Sequence, residues 1–69
     1  MMATLRWARF IKQMTQKELE LRSEVHQTKI SHFENGNLLP RDDERERIAK
    51  ALDVKPDELE FFLKTDEQS

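Results

Sequence analysis

The residues of this 69-residue chain that could do chemistry are two histidines, His26 and His32, and the hydroxyl and carboxylate side chains around them. On one helix, a spacing of six residues would turn the histidines about 240° apart, so they cannot share a metal ion. The absence of cysteine excludes disulfides, cysteine-ligated zinc and thiol catalysis. Hydrolytic chemistry would need a glycine-rich loop or an enclosed pocket, which the sequence does not offer. We therefore predict no enzymatic activity, no metal and no cofactor.

Short helices must position the polar side chains of the first half of the chain. Three are predicted, over residues 4–13, 16–22 and 27–34. Thr4 is a candidate N-cap of the first helix, and Thr15 and Glu18 have the spacing of a capping box that opens the second. Val25, the apolar residue in the break before the third helix, is expected to fill the core.

Turn signals divide the second half of the chain as well. Gly36 predicts a left-handed end to the third helix, and Pro40 stops any helix before it. A fourth helix is predicted from Asp42 and a fifth from Pro56. The predicted apolar faces of the helices comprise Leu19, Ile30, Phe33, Ile48, Ala49, Leu52, Leu59, Phe62 and Leu63.

The length of the chain predicts one small domain, residues 1–64, followed by a flexible tail, residues 65–69. A core of this size rarely gives more than about 3–5 kcal/mol of net stability, and oligomerisation is the remaining way to increase it. No apolar run is long enough for a membrane span or a signal peptide. We therefore expect a cytoplasmic protein without a membrane partner.

The charge is distributed unevenly along the chain. Residues 1–41 contain seven Lys and Arg against four Asp and Glu, whereas residues 42–69 contain five against ten. Salt screens charges over about 8–10 Å, so a basic front face can coexist with an acidic rear half. The net charge of −2 therefore does not exclude a nucleic-acid partner.

The predicted second and third helices, joined by a short break, have the layout of a helix-turn-helix unit. The residues whose types and spacing indicate a particular family are Thr15 to Leu19, Val25, Ile30 and Ser31, Phe33 to Gly36, Pro40, and Ile48 to Leu52. In this order and spacing the chain resembles the phage-repressor/Cro-type helix-turn-helix regulators, the xenobiotic-response-element family, over roughly residues 5–59. The resemblance implies an all-α, compact five-helix repressor-like DNA-binding domain with the helix-turn-helix unit at about residues 15–35.

The resemblance also implies roles for individual residues. The base-reading positions would be Gln27, Thr28, Lys29 and His32. The positions that contact the DNA backbone would be Gln16, Lys17, Asn37 and Arg41. Glutamine can pair with adenine through two hydrogen bonds, and a threonine methyl can contact thymine. An ion pair of Arg9 with Glu34 would connect the first helix to the end of the third.

Three residues depart from the family pattern near this unit. Glu20 stands where alanine usually packs between the two helices, and Gln13 and Glu24 stand where glycine is common. A left-handed conformation costs a non-glycine residue roughly 1 kcal/mol, so the turn differs or stability is lower. Glu20 and Glu24 also bring negative charge towards the DNA-facing side.

More apolar residues are present than the predicted core needs, and two explanations remain open. The fifth helix could fold back on the first and cover them. Alternatively, a patch around Phe61, Phe62, Leu38 and Leu39 could form a two-fold dimer. A dimer would place two recognition helices about 34 Å apart, one turn of DNA.

The predicted function is a sequence-specific transcriptional regulator, a dimeric repressor that reads an inverted repeat in double-stranded DNA through its third helix. One alternative is a protein-interaction module, such as an antitoxin, with the same helical fold. Another is a domain whose DNA face is vestigial. The salt dependence of binding separates the first two, because binding through several cations weakens steeply with salt.

Overall fold

Residues 3–64, which the computed structural model describes, form four α-helices and one small sheet. The elements are β1 (Ala3–Thr4), α1 (Leu5–Ile11), α2 (Gln16–Ser23), α3 (Gln27–Glu34), α4 (Asp42–Leu52), a 3₁₀ turn (Pro56–Glu58) and β2 (Leu59–Glu60). The first three helices end within two residues of their predicted bounds, and α4 begins at Asp42 as predicted. The predicted tail, residues 65–69, lies outside the described residues.

Both predicted N-caps are confirmed. The Thr15 hydroxyl accepts a 3.0 Å hydrogen bond from the backbone N–H of Glu18, and the Glu18 carboxylate accepts one of 2.8 Å from the N–H of Thr15. The Thr4 hydroxyl accepts from the N–H of Trp7 at 3.3 Å. These bonds satisfy amide groups that have no partner inside the helix, which is why the helices begin there.

The core lies between the helices and includes one residue of β2. Its members are Leu5, Ala8, Leu19, Val25, Ile30, Phe33, Ile48, Ala49, Leu52 and Leu59. Val25 is buried in the break between α2 and α3, as predicted. The hydroxyl of Ser23 fixes this break, since it donates to the carbonyl of Leu19 at 2.6 Å and accepts from the N–H of Val25 at 3.2 Å. The two helices are therefore held at a defined angle by both packing and hydrogen bonds.

The predicted fifth helix is wrong, and the described fold is therefore mostly helical rather than all-α. Pro56–Glu58 forms a single 3₁₀ turn, after which β2 pairs in parallel with β1, Ala3 opposite Leu59 and Thr4 opposite Glu60. Along this segment Leu59 is buried, Glu60 is exposed and Phe61 is half-buried. Alternation between buried and exposed residues is typical of a strand, whose side chains point to opposite faces in turn. A short apolar segment has only a weak tendency to form a helix by itself, and pairing with β1 outweighs that tendency here.

Gln13 and Glu24 both adopt the left-handed conformation, with φ of 55° and 61°. The turns after α1 and α2 therefore keep the geometry that glycine would favour, although neither residue is glycine. Of the two outcomes expected from the sequence, the structure therefore has the unchanged turn, for which a lower stability is the expected consequence. Glu20, the third departure, is half-buried and does not enter the core.

Candidate nucleic-acid interface

One exposed face combines α3 with the start of α2. Burial of Ile30 and Phe33 turns the opposite side of α3 outward, so that Gln27, Thr28 and His32 are exposed. These three residues line an open groove of about 380 Å³. The other lining residues are Gln16, Lys17, Glu20, His26 and Ser31. Three predicted base-reading residues and two predicted backbone-contacting residues thus share one surface.

The N-terminus of α3 is capped by His26, for which the sequence suggested only the excluded role of metal ligand. Nδ1 of His26 accepts a 3.0 Å hydrogen bond from the backbone N–H of Thr28. The imidazole therefore presents Nδ1 without a proton and fixes the first turn of α3. Thr28 and Gln27 are consequently held at a well-defined helix start.

Beneath the groove, the carboxylate of Glu34 is fully buried and carries several charged hydrogen bonds. Arg9 donates to it through Nε at 2.6 Å and through Nη2 at 3.1 Å. Gln16 donates at 3.0 Å and Arg6 at 3.5 Å. The structure thus has the ion pair between Arg9 and Glu34, and two further donors, Gln16 and Arg6, that were not predicted to join it.

The environment of Glu34 favours its charged form. Burial raises the pKa of Glu34, but hydrogen bonds from Arg9 and Gln16, with the charge of Arg9, outweigh burial and hold the pKa below its ordinary value. The carboxylate is therefore a permanent hydrogen-bond acceptor at neutral pH. Through its hydrogen bonds with Arg9 of α1 and Gln16 of α2, Glu34 connects these two helices to the end of α3.

Gln16 connects this buried cluster to the groove. While its Nε2 donates to Glu34, its Oε1 lies 3.5 Å from Nε2 of Gln27, which donates to it. An ionised carboxylate only accepts, so it selects the orientation of the Gln16 amide. Among residues 3–64, the carbonyl oxygen and the second amide N–H of the Gln27 side chain then have no hydrogen-bond partner.

Lys29 is separated from the other predicted base-reading residues. Its Nζ lies 2.7 Å from Oε2 of Glu44 on α4, and it does not line the groove. The second oxygen of Glu44 accepts the backbone N–H of Arg41 at 2.9 Å. Burial raises the pKa of Glu44, but the bonds from Lys29 and Arg41 outweigh it and lower that pKa. Glu44 is thus a second buried, charged carboxylate.

Among the predicted backbone-contacting residues, Lys17 lines the groove, whereas Asn37 and Arg41 lie in the loop between α3 and α4. Lys17 Nζ is 3.7 Å from half-buried Glu20. Arg41 Nε is 3.4 Å from exposed Asp43 and 4.0 Å from buried Glu44, and both cations are themselves largely exposed. Asn37 is exposed in the loop after α3, where its N–H donates to the carbonyl of His32 at 2.9 Å. Exposed ion pairs contribute only about 0–1 kcal/mol, so both cations can exchange their partners for a phosphate.

The predicted dimer residues do not form one uniform surface. Phe61 packs edge-on against Phe33, with ring centroids 6.3 Å apart, and belongs to the packing of its own chain. Phe62, Leu38 and Leu39 are exposed. The ring of Phe62 lies directly against Gly36. A Cβ added to that glycine would be only 2.5 Å from Cε2 of the ring.

A second apolar surface lies on α1, where Trp7 and Phe10 stack with ring centroids 5.6 Å apart. They are 53% and 68% exposed, and Ile11 beside them is 56% exposed. Residues 59–64, the last described part of the chain, therefore do not cover the exposed apolar residues of α1.

Sequence reasoning missed the functions of Arg6, His26 and Glu44. Glu44 was assigned only to the N-terminus of α4, although its spacing of three from Arg41 fits a capping box. No sequence signal indicates its pairing with Lys29, because that contact depends on how α3 and α4 pack.

Among residues 3–64 no helix is long and apolar enough to span a membrane, and no cluster of three metal-ligating side chains occurs.

Comparison with known proteins identifies one family. A family model described as a helix-turn-helix domain matches residues 2–62. No curated protein and no solved structure matches the chain. The family match covers α1 to α4 and both strands.

Proposed function

The chain belongs to the helix-turn-helix domain family, and we propose on this premise that it is a sequence-specific DNA-binding transcriptional regulator of the phage-repressor/Cro type. The observation that carries the proposal is the groove on which Gln27, Thr28 and His32 lie together with Gln16 and Lys17. In this proposal α3 enters the major groove and α2 crosses the phosphate backbone. The protein acts by binding and catalyses no reaction.

Base reading would fall to three residues of α3. The free carbonyl oxygen and N–H of Gln27 match the N6 donor and N7 acceptor of adenine. The methyl group of Thr28 suits contact with a thymine methyl, and His32 adds a hydrogen-bonding ring one turn further along the helix. Lys29 would not take part, since its ammonium group is bound to Glu44.

Backbone contacts would fix the register on the duplex. Lys17 and Arg41 supply positive charge, while Gln16 and Asn37 supply side-chain amides. The acidic residues close to these cations make the face less positive than a typical DNA-binding surface. We therefore expect strong dependence of affinity on base sequence and moderate non-specific binding.

A homodimer on an inverted repeat would give each site two recognition helices. The proposed interface consists of Leu38 and Leu39, which are exposed in the α3–α4 loop, and Phe62, which is exposed against Gly36 of the same loop. Because that loop adjoins the proposed DNA face, pairing there would bring the two α3 helices to the same side of the dimer. Bound over a promoter, such a dimer would repress transcription by excluding polymerase.

Selection from a random pool of duplex DNA at physiological salt, followed by sequencing, tests the proposal. Enrichment of an inverted repeat with half-sites one helical turn apart is the expected result. Enrichment of a single half-site would support DNA reading but contradict the dimer. A folded chain that enriches nothing would overturn the proposed function.

Sedimentation of the Leu39→Asp variant tests the proposed interface. We expect this variant to be monomeric at concentrations where the wild-type chain is dimeric. Leu21→Asp is the matched control, because Leu21 is an exposed leucine on α2 that is not part of the proposed interface. A Leu39→Asp variant that stays dimeric would exclude Leu39 from the contact.

One observation favours a second candidate, a protein-interaction module such as an antitoxin. The stacked rings of Trp7 and Phe10 present an apolar surface on α1, away from the polar groove. Apolar interfaces depend weakly on salt, whereas DNA contacts depend on it steeply. Binding of a protein partner that Phe10→Asp abolishes and salt leaves unchanged would favour this candidate.

A further inference from the structure

We propose that Lys29 is a positioning residue, which holds the α3–α4 loop through Glu44 and does not contact DNA. The inference rests on the proposed function, because it concerns which cations meet phosphate. It reverses the expectation that a lysine on the recognition helix reads a base or binds the backbone.

The surroundings of Glu44 explain why the ammonium group of Lys29 is not available to a DNA phosphate. The side chain of Glu44 is 4% exposed, and its Oε2 accepts from Lys29 Nζ at 2.7 Å. Its Oε1 accepts from the backbone N–H of Arg41 at 2.9 Å. If Lys29 turned towards a phosphate, a buried carboxylate would lose its closest cation, which is strongly unfavourable.

The other two cations of the face are in a different situation. The side chain of Lys17 is 65% exposed and that of Arg41 is 71% exposed, compared with 46% for Lys29. Lys17 lies 3.7 Å from Glu20, and Arg41 lies 3.4 Å from Asp43 and 4.0 Å from Glu44, whereas the Lys29–Glu44 distance is 2.7 Å. Water and salt screen such pairs, so a phosphate can replace the carboxylate at little cost. Lys17 and Arg41 are therefore available for DNA, whereas Lys29 is not.

The bond between Lys29 and Glu44 also fixes the loop that separates α3 from α4. At the start of the loop, the N–H of Asn37 donates to the carbonyl of His32 at 2.9 Å. At its end, Arg41 is held by the same carboxylate that binds Lys29. Lys29 thereby sets the distance from α3 to the two loop residues proposed to contact phosphate, Asn37 and Arg41.

The salt dependence of DNA binding distinguishes a positioning role from a phosphate contact. Each phosphate contact contributes about 0.9 to the slope of log affinity against log salt. Affinity for a labelled duplex carrying the selected repeat would be measured for four variants between about 50 and 200 mM salt. The variants are Lys29→Met, Lys29→Met/Glu44→Gln, Lys17→Met and Lys12→Met.

We expect Lys29→Met to bind more weakly at every salt concentration with the wild-type slope. Lys29→Met/Glu44→Gln should recover only part of the affinity, because it removes the uncompensated carboxylate but does not restore the bond that holds the loop, again with the wild-type slope. Lys17→Met should lower the slope by about 0.9, and Lys12→Met, a lysine away from the groove, should leave it unchanged.

A slope lowered by about 0.9 in either variant lacking Lys29 would overturn the inference and leave the proposed function intact. Unchanged affinity and slope in Lys29→Met would overturn it too. If Lys29→Met does not fold, the double variant decides, because it contains no unpaired buried charge. A wild-type chain that binds no duplex would overturn the proposed function, and the inference with it.

Discussion

The side-chain amide of Gln16 donates a 3.0 Å hydrogen bond to the buried carboxylate of Glu34. Through this bond a charged group of the interior determines which atoms a surface glutamine presents. The same Gln16 accepts from Gln27 at 3.5 Å, so the orientation extends to the proposed recognition helix. The buried cluster therefore serves both the stability of the domain and the arrangement of its candidate DNA-binding face.

Replacement of Gln27 by alanine is expected to weaken binding of the selected repeat and to relax its sequence preference at one base pair. Loss of a two-bond contact to adenine costs about 1–3 kcal/mol of discrimination. Fluorescence anisotropy on duplexes that vary at each position of a half-site measures both effects. Gln27→Glu should be weaker still, because it adds a negative charge opposite DNA. Unchanged affinity at every position would indicate a vestigial DNA face.

Stability is expected to fall in acid because of Glu34 and Glu44. Both carboxylates have a pKa below the ordinary value in the folded chain. Their contribution is fully present above the unfolded-state pKa, about 4.3, and is lost as the pH falls through the folded-state values. Urea unfolding at a series of pH values should show a constant free energy of unfolding near neutrality and a decrease below about pH 4.3.

Glu34→Gln tests the origin of that decrease. It should lower the free energy of unfolding by about 3 kcal/mol at neutral pH, because Arg9 loses its charged partner. Its stability should also depend less on pH in the acidic range. Glu46→Gln is the control, since Glu46 is an exposed residue of the same charge. Equal pH dependence in Glu34→Gln and the wild type would show that other carboxylates cause the loss.

Local signals were sufficient to predict four helices of the fold. Capping residues, apolar spacing and the break at Val25 depend on neighbours in sequence, and they agree with one another. The C-terminal segment was predicted wrongly because its structure depends on a distant partner. Leu59 becomes part of a strand only because β1, more than fifty residues earlier, lies beside it.

The candidate site shows the same division. The exposed face of α3 follows from the helix period once Ile30 and Phe33 are buried. In contrast, the pairing of Lys29 with Glu44 and the donation from Gln16 to Glu34 depend on how the helices pack. Spacing in the sequence can list polar residues on a helix, but it cannot tell which are already bound to a buried partner.

Glu24→Gly is expected to stabilise the chain. Glu24 has a φ of 61°, and its side chain makes no described hydrogen bond. Relief of left-handed strain should exceed the added entropy of the unfolded state, for a net gain of about 0.5–1 kcal/mol. Thermal unfolding measures the change. Lys50→Gly, inside α4, is the matched control and should lose about 1 kcal/mol. A loss in both variants would contradict strain at Glu24.

Gly36→Ala is expected to destabilise the chain for two separate reasons. Gly36 has a φ of 76°, and an added Cβ would lie 2.5 Å from Cε2 of Phe62 and 2.9 Å from Cγ of Lys64. Backbone strain alone costs about 1–2 kcal/mol, and displacement of the Phe62 ring adds to it. The carbonyl of Gly36 also accepts the N–H of Lys64 at 2.8 Å, so a shift of the ring would disturb this contact between the loop and the end of the domain.

The free energy of unfolding of the double variant Gly36→Ala/Phe62→Leu, compared with that of Phe62→Leu, separates backbone strain from displacement of the Phe62 ring. If the ring causes part of the loss, Gly36→Ala should cost less stability when leucine replaces Phe62. The remaining cost should be close to the strain of about 1–2 kcal/mol. Urea unfolding of the four chains gives the coupling energy directly. A coupling of zero would show that the Phe62 ring moves aside freely and that the cost arises from the backbone of Gly36 and its contact with Lys64.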